Sequence, residues 1–386
     1  MTRIDEVIDI VPRPASPTSG VVQEAEIRYY TASQFQLMWW KFRKHKLALI
    51  GSAILGLFVI VAMFAEFLSP YAPTARTPNY LFGRPQVLHF VDAEGKFHWR
   101  PFTYALTAAM DPKTFLLEVK EDTSEPWPVY FFIKGDPYIM WGVIKSDRHL
   151  FGVQEGHLHL LGTDQLGRDI LSRLFHATRT SLTIGVVGLF ISFFLGLIIG
   201  GISGFFGGTV DDAIQRFIEF IRSIPTLPLW MSLAAALPRD WTPQRVYFTI
   251  TILLGLLGWT HLARRVRGKL LSLREEDFVV AARLAGSTNA RIIARHLLPS
   301  FLSYIIVDLS ISFPYMILAE TSLSFIGLGL RAPVISWGVL LQDAQNIQAI
   351  ALYPWLFTPV AFVILAVMAF SFVGDGMRDA ADPYSR

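Results

Sequence analysis

The chain has no cysteine. Disulfides and thiolate metal sites are therefore excluded. Charge is scarce as well: Asp, Glu, Lys and Arg make up 17% of 386 residues, where a soluble domain carries about 25%. Catalytic signatures are missing too. No GxxxxGK[ST] loop is present to cradle ATP phosphates, since Gly268-Lys269 is followed by Leu270 with no earlier glycine at the required spacing. Neither HExxH nor the GxSxG nucleophile elbow occurs. A net charge of +3 is too small to mark a nucleic-acid partner, even with a pI near 9.0. The expectation is a protein with no catalytic residues, no cofactor and no nucleic acid to bind.

What fills the chain is apolar: 52% of residues are hydrophobic and the mean hydropathy is +0.42. A bilayer core about 30 Å thick needs roughly 20 apolar residues in a helix. Six runs qualify, at 47–68, 182–206, 213–237, 246–263, 301–326 and 353–374. The lipid bilayer is thus the first partner, and a soluble helical bundle does not account for runs this long and this poor in charge. The third run carries Arg216, Glu219 and Arg222 in its first turns, spaced to pair along one face. Pro225 and Pro228 follow and predict a kink. Residues 1–46 are long, polar and proline-bearing, unlike a cleaved signal peptide.

The basic residues orient the spans. Lys41, Arg43, Lys44 and Lys46 crowd the start of the first. Between the fourth and fifth lie Arg264, Arg265, Arg267, Lys269, Arg274, Arg283, Arg291 and Arg295, against Glu275, Glu276 and Asp277. By the positive-inside rule both regions are cytoplasmic, and six crossings make them agree. Segments 1–46 and 377–386 then lie inside, and 69–179, 238–245 and 327–352 outside.

The 69–179 insertion is too long for a connector. The pattern around Asp92-Ala93-Glu94-Gly95 predicts a hairpin, and the aromatic run Trp127 to Ile133 predicts a strand ending in a turn at Gly135-Asp136-Pro137. A small β-rich external domain is expected, either contacting a soluble partner or capping the lumen. His89, His98, His149, His157 and His159 lack metal-ligand spacing apart from the last pair, and no metal is expected. Further on, Thr163 or Asp164 is placed to cap a helix. Ile170, Leu171, Leu174 and Phe175, interleaved with Arg168, Arg173 and Arg179, predict an amphipathic helix on the membrane surface ahead of the second span. Gly196, Gly200 and Gly204 put small residues on one face of that span, where another helix can approach.

The segment from Asp277 to Pro299 has a plan of its own. Two short helical pieces join at Gly286, with Ala281 and Ala282 on the first and Leu298-Pro299 closing the second. Such a helix-turn-helix between spans is built to be gripped by a soluble partner. In the fifth span, Asp308 lies eight residues past Ser300, roughly 12 Å deep, and Glu320 nears the outer end. An acid inside a membrane is a candidate functional group. Each of these two either lines a pathway or pairs internally.

GTDQLGRDILSRL, the alanine pair with Gly286 and Leu298-Pro299, LAETSLSFIGLGL, Ser336-Trp337-Gly338 and GDGMRDAADP occur in that order. Together, over about residues 41–386, they resemble the C-type membrane subunit of the dipeptide/oligopeptide class of ABC importers. The long insertion is similar to that of the subgroup taking up larger peptides, including microcin-type antimicrobial peptides. The resemblance implies an all-α, six-helix type I permease in the bacterial inner (plasma) membrane, with the first helix at 47–68, a core over 180–376 carrying the other five, and 277–299 as the ATPase-coupling loop. It implies a homologous second permease subunit, cytoplasmic ABC ATPase subunits that hydrolyse the ATP, a periplasmic or extracellular substrate-binding protein, and a peptide substrate. One position departs: the family's loop usually has an acidic residue before the two alanines, and here Val280 stands there. Two other readings stay open, the same machinery carrying nickel, glutathione or an opine-like solute, and a self-contained proton-coupled carrier using Asp308 and Glu320.

Overall fold

The structure is a computed structural model that describes residues 32–110, 117–238, 240–345 and 351–381. Most of the 1–46 segment and the last five residues of the tail lie outside the described residues. Helix α1, Gln34–Phe42, opens on a capping box in which the Ser33 and Gln36 side chains each bond the other's backbone N–H. Helix α2, Lys46–Met63, is capped by His45, whose Nδ1 accepts from the Ala48 N–H at 3.1 Å. It breaks at Phe64, short of the expected end at Leu68, and a single turn, Ala65–Leu68, follows.

Helix α3 runs unbroken over Ile170–Phe206, 37 residues, or roughly 55 Å at 1.5 Å per residue. The expected surface helix and the expected second span are therefore one element. No glycine or proline interrupts residues 170–184, and the arginines there find partners in place. Arg179 pairs with Glu66 and also donates from Nε to the Ala62 carbonyl at 2.6 Å. The cap differs from expectation as well. Asp169, not Thr163 or Asp164, caps α3, accepting from the Ser172 N–H and hydroxyl, each at 2.7 Å.

The expected third span, 213–237, is two helices: α4, Gly208–Ser223, and α5, Thr226–Ala235. Ile224 turns extended ahead of Pro225, as the clash with a following proline ring requires. Then come α6, Pro243–Leu273, α7, Asp277–Leu284, α8, Leu302–Phe325, α9, Trp337–Gln342, and α10, Thr358–Ala381. Among the described residues five helical stretches are long and apolar enough to cross a membrane, within 46–63, 170–206, 243–273, 304–325 and 354–381. The ten-residue α5 is a shorter apolar helix.

The glycine face of α3 works as its spacing suggests. A Cβ at Gly196 would come within 2.8 Å of the Leu262 side chain, and at Gly204 within 2.8 Å of the Arg267 carbonyl oxygen. So α6 packs on α3 at backbone contact. The Ser336-Trp337-Gly338 motif explains itself too. Trp337 is fully buried among Phe58, Leu174, Ile317 and Ala366, joining α2, α3, α8 and α10. Ser336 caps α9, and a Cβ at Gly338 would strike the Thr321 carbonyl at 2.6 Å.

Between α2 and α3 lies a four-stranded antiparallel sheet in chain order: β1 His89–Val91, β2 Phe97–Met110, β3 Leu117–Met140 and β4 Ile144–Val153. The hairpin at Asp92–Gly95 forms, with Gly95 at φ +85°. The turn expected at Gly135-Asp136-Pro137 does not. Strand β3 continues through it with a register shift between Lys134 and Tyr138. The irregularity is pinned: Asp136 accepts from the Ala72 N–H at 3.1 Å, and its carbonyl faces His149 Nε2 at 2.9 Å. The chain reverses later, at Trp141-Gly142.

Candidate functional site

Helix α7 carries two faces. Val279 is completely buried and Ala282, one turn on, half-buried. With Ile292 and Leu297 they pack against Phe205 of α3, Leu262, Val266 and Leu270 of α6, and Ile305 of α8. The Arg283 guanidinium lies 5.4 Å from the Phe205 ring centroid, adding a cation–π contact. On the opposite side Asp277, Val280, Ala281 and Leu284 are exposed. Their i, i+3, i+4, i+7 spacing makes one continuous face, with Leu284 85% exposed at its end.

Gly286 ends this helix. The Gly286 N–H reaches the Arg283 carbonyl at 2.9 Å and the Ser287 N–H the Ala282 carbonyl at 3.0 Å, the paired bonds of a Schellman motif. Such a cap needs φ > 0, and Gly286 sits at φ +77°. Thr288 then caps the second piece, Asn289–Arg291, which passes into a π-helical stretch over Ile292–Leu297 and a last turn at Leu298–Ser300. Leu298 is half-buried and Pro299 exposed. The two-piece plan read from the sequence is present, extended by one residue past Pro299 and bent by the π-bulge. All six of Asp277, Ala281, Ala282, Gly286, Leu298 and Pro299 thus lie on one compact loop seated against the ends of α3, α6 and α8.

The two acids of α8 have different surroundings. Asp308, buried, pairs with the half-exposed Arg265 of α6. Both border a cavity of about 510 Å³ shared with Tyr304, Val307, Ile311 and Arg378. Glu320 has no exposure. It accepts from the Ser324 hydroxyl at 2.8 Å and the Ser181 hydroxyl at 3.2 Å, and the Ser181 oxygen in turn accepts from the Trp337 N–H at 3.1 Å. Glu320 therefore ties α3, α8 and α9 together from inside.

A buried polar junction went unread in the sequence. Asp164, 1% exposed, accepts from the Leu166 and Arg168 N–H groups at 2.8 and 3.0 Å, from Arg168 Nε at 2.7 Å, and from Arg173. Arg173, 2% exposed, also reaches Asp343, just after α9, at 3.3 Å. Burial pushes the Asp343 carboxyl above its ordinary range, with Arg173 pulling it back down. Next to this cluster His159 Nδ1 sits 3.1 Å from Asp169. The signal was the crowded charge of GTDQLGRDILSR, whose partner residue lies 170 positions away. Among the described residues no group of three His, Cys, Asp or Glu could hold a metal.

Residues 192–386 match the family described as the binding-protein-dependent transport system inner membrane component, and residues 33–85 the N-terminal transmembrane domain of oligopeptide transport permease C. The oligopeptide transport system permease protein OppC of Haemophilus influenzae is 40% identical over 60% of this chain and 72% of its own length. OppC of Bacillus subtilis is 37% identical over 59% and 72%. The dipeptide transport system permease protein DppC of Lactococcus lactis subsp. cremoris is 32% identical over 91% of both chains. An inward-facing MetNI methionine ABC transporter chain overlaps 54% of this chain and 96% of its own at 19% identity and a TM-score of 0.43, too loose to carry an argument.

Proposed function

The chain belongs to the inner-membrane permease family of binding-protein-dependent ABC importers, as a C-type subunit of the oligopeptide/dipeptide branch, and on that premise we propose that it forms half of a translocation pathway for peptides. A homologous permease subunit supplies the other half. ATP-hydrolysing subunits dock from the cytoplasm on the loop 277–299, and a substrate-binding protein delivers peptide from outside. Six crossings, with the α4–α5 pair as a broken third, put both termini inside and the sheet of residues 89–153 outside. The arginine bias around 264–295 supports this orientation.

The observation that carries the reading is the two-faced α7. Its inner face is locked into the ends of three long helices, so a push or pull on it moves them together. Its outer face offers Val280 and Leu284 to water with nothing covering them, as a docking surface does. Val280, where relatives usually have an acid, makes this contact apolar rather than ionic, with Asp277 the charged residue at its edge. Alternating access then follows as rocking of the helix bundles about a site near mid-membrane. In that pathway Asp308, paired with Arg265 beside the 510 Å³ cavity, lines the inner vestibule, and Glu320 holds the outer helix ends.

Leu284→Asp, Gly286→Ala and Gly286→Trp test the docking. A Cβ at Gly286 meets nothing within 4 Å, so Trp there projects toward the partner, while Ala isolates the left-handed strain of about 1–2 kcal/mol. Uptake and ATPase co-purification should be lost in Leu284→Asp and Gly286→Trp and largely kept in Gly286→Ala. Leu284→Asp with normal uptake and normal ATPase retention would remove this loop from the docking site.

A further inference from the structure

The β3–β4 hairpin ends in a turn with the wrong residue for its shape. The Val143 N–H closes on the Met140 carbonyl at 3.1 Å, with Trp141 at φ +53° and Gly142 at φ +73°. Two successive left-handed residues make a type I′ turn, which favours Asn-Gly or Gly-Gly. A bulky residue at φ > 0 is strained and persists only where its surroundings hold it. Here the holder is visible. Trp141 Nε1 donates to the Met63 carbonyl at 2.7 Å, and its ring lies 5.7 Å from that of Phe64. Met63 and Phe64 are the last residue and C-cap of α2. Lower on the same strand Phe132, another non-glycine residue at positive φ, brings its ring 6.0 Å from Phe67. The hairpin tip is therefore fastened to the very end of a membrane-spanning helix.

Having been fastened, it leaves its apolar side chains outward. Val143 is 81% exposed, and Ile139, Trp141, Ile144 and Phe132 are each about half exposed or more. They sit at the end of α2, where Trp141 meets Met63 and Phe64, and the Leu57, Val59, Ile60 and Met63 side chains of that helix are exposed too. That surface is the face a spanning helix turns to lipid, and its upper end is the level of the headgroups. Trp is the side chain most suited to that level, with an apolar body and one N–H. Lys145, paired in register with Ile139, is exposed beside the tip and set to meet lipid phosphate.

We propose that the Trp141-Gly142-Val143 tip of the β3–β4 hairpin inserts into the headgroup region of the bilayer beside α2, making the insertion a membrane-resting domain rather than one free in solution. The proposal rests on α2 spanning the membrane. It does not depend on which side is outside or on what is transported. The occupant is lipid, because the exposed apolar tip is fastened to the end of a membrane-spanning helix and is flanked by a cation. A second permease subunit covering the patch is the rival outcome.

The absence of cysteine makes the test clean. Val143→Cys and Glu94→Cys, the latter on the distant β1–β2 hairpin, each take a single NBD fluorophore. The complete importer is then reconstituted in vesicles with and without nitroxide-labelled phospholipid. NBD at Val143→Cys should emit to the blue of NBD at Glu94→Cys, and headgroup or shallow-chain nitroxides should quench it strongly while leaving Glu94→Cys bright. Water-like emission without quenching would overturn the proposal, showing the tip in solvent. Blue-shifted emission that lipid nitroxides leave unchanged would overturn it too, showing the tip covered by protein.

Discussion

At the scale of single residues, the junction of Asp164, Arg173 and Asp343 sets an arginine between two carboxylates in the interior. Arg173 touches two carboxylates at once, one of them 1% exposed. Replacing one member of such a set strands its partners. Arg173→Met should therefore destabilise the assembled importer by about 3–5 kcal/mol, the usual cost of an uncompensated buried charge. Arg173→Met with Asp164→Asn should recover a good part of that loss, because the second change removes the stranded carboxylate. Thermal unfolding of the purified complex, with both variants beside the parent, measures the difference. A double variant no more stable than the single one would mean that Arg173 acts through its packing instead. The same residues mark the limit of local reading. Thr163, Asp164 and Asp169 are all credible helix caps by type and place. In the fold Asp164 is taken up by the Leu166 and Arg168 N–H groups and by the Arg168 and Arg173 side chains, Arg173 reaching Asp343 as well, and Asp169 is left to cap α3.

At the scale of elements, what could be read was what is decided locally. Apolar length marked five long helices, although α3 starts at Ile170 rather than at 182, and α6 and α10 run on to Leu273 and Ala381 rather than to 263 and 374. The glycine stripe on α3 announced a close helix contact, though not that α6 makes it, and the chemistry of Gly286 announced the turn in the loop. What escaped was decided at a distance. The surface helix before the second span is absent as a separate element because Arg173 and Arg179 find acids on other segments and need no headgroups. The turn at Gly135-Asp136-Pro137 is absent because Ala72, from outside the sheet, and His149, on the neighbouring strand β4, hold that stretch in place. The broken 213–237 run was legible as a kink from Pro225 but not as two helices. Orientation is an element-scale matter and has its own test. An impermeant maleimide applied to intact spheroplasts should label Glu94→Cys and spare Glu275→Cys, and inverted vesicles should give the reverse. Labelling of Glu275→Cys from outside would turn the molecule over.

At the scale of the whole molecule the question is what drives it and what it carries. The chain holds no phosphate-binding loop, so alone it should hydrolyse no ATP, and uptake should stop when the partner ATPase is disabled at its catalytic residues. A self-contained carrier would behave otherwise. Its proton relay would need Asp308 and Glu320 in one connected path, whereas Asp308 is held by Arg265 and Glu320 by the hydroxyls of Ser181 and Ser324. Uptake by this chain alone in liposomes, driven by a proton gradient, would establish that carrier and end the importer reading. Cargo is decided separately, since peptide, nickel, glutathione and opine-like solutes could share this machinery. A deletion strain should lose growth on oligopeptides and become resistant to peptide antibiotics that enter by this route, while nickel uptake stays normal. Intact peptide use with lost nickel uptake would transfer the chain to metal import and leave its fold, its loop and its coupling as described.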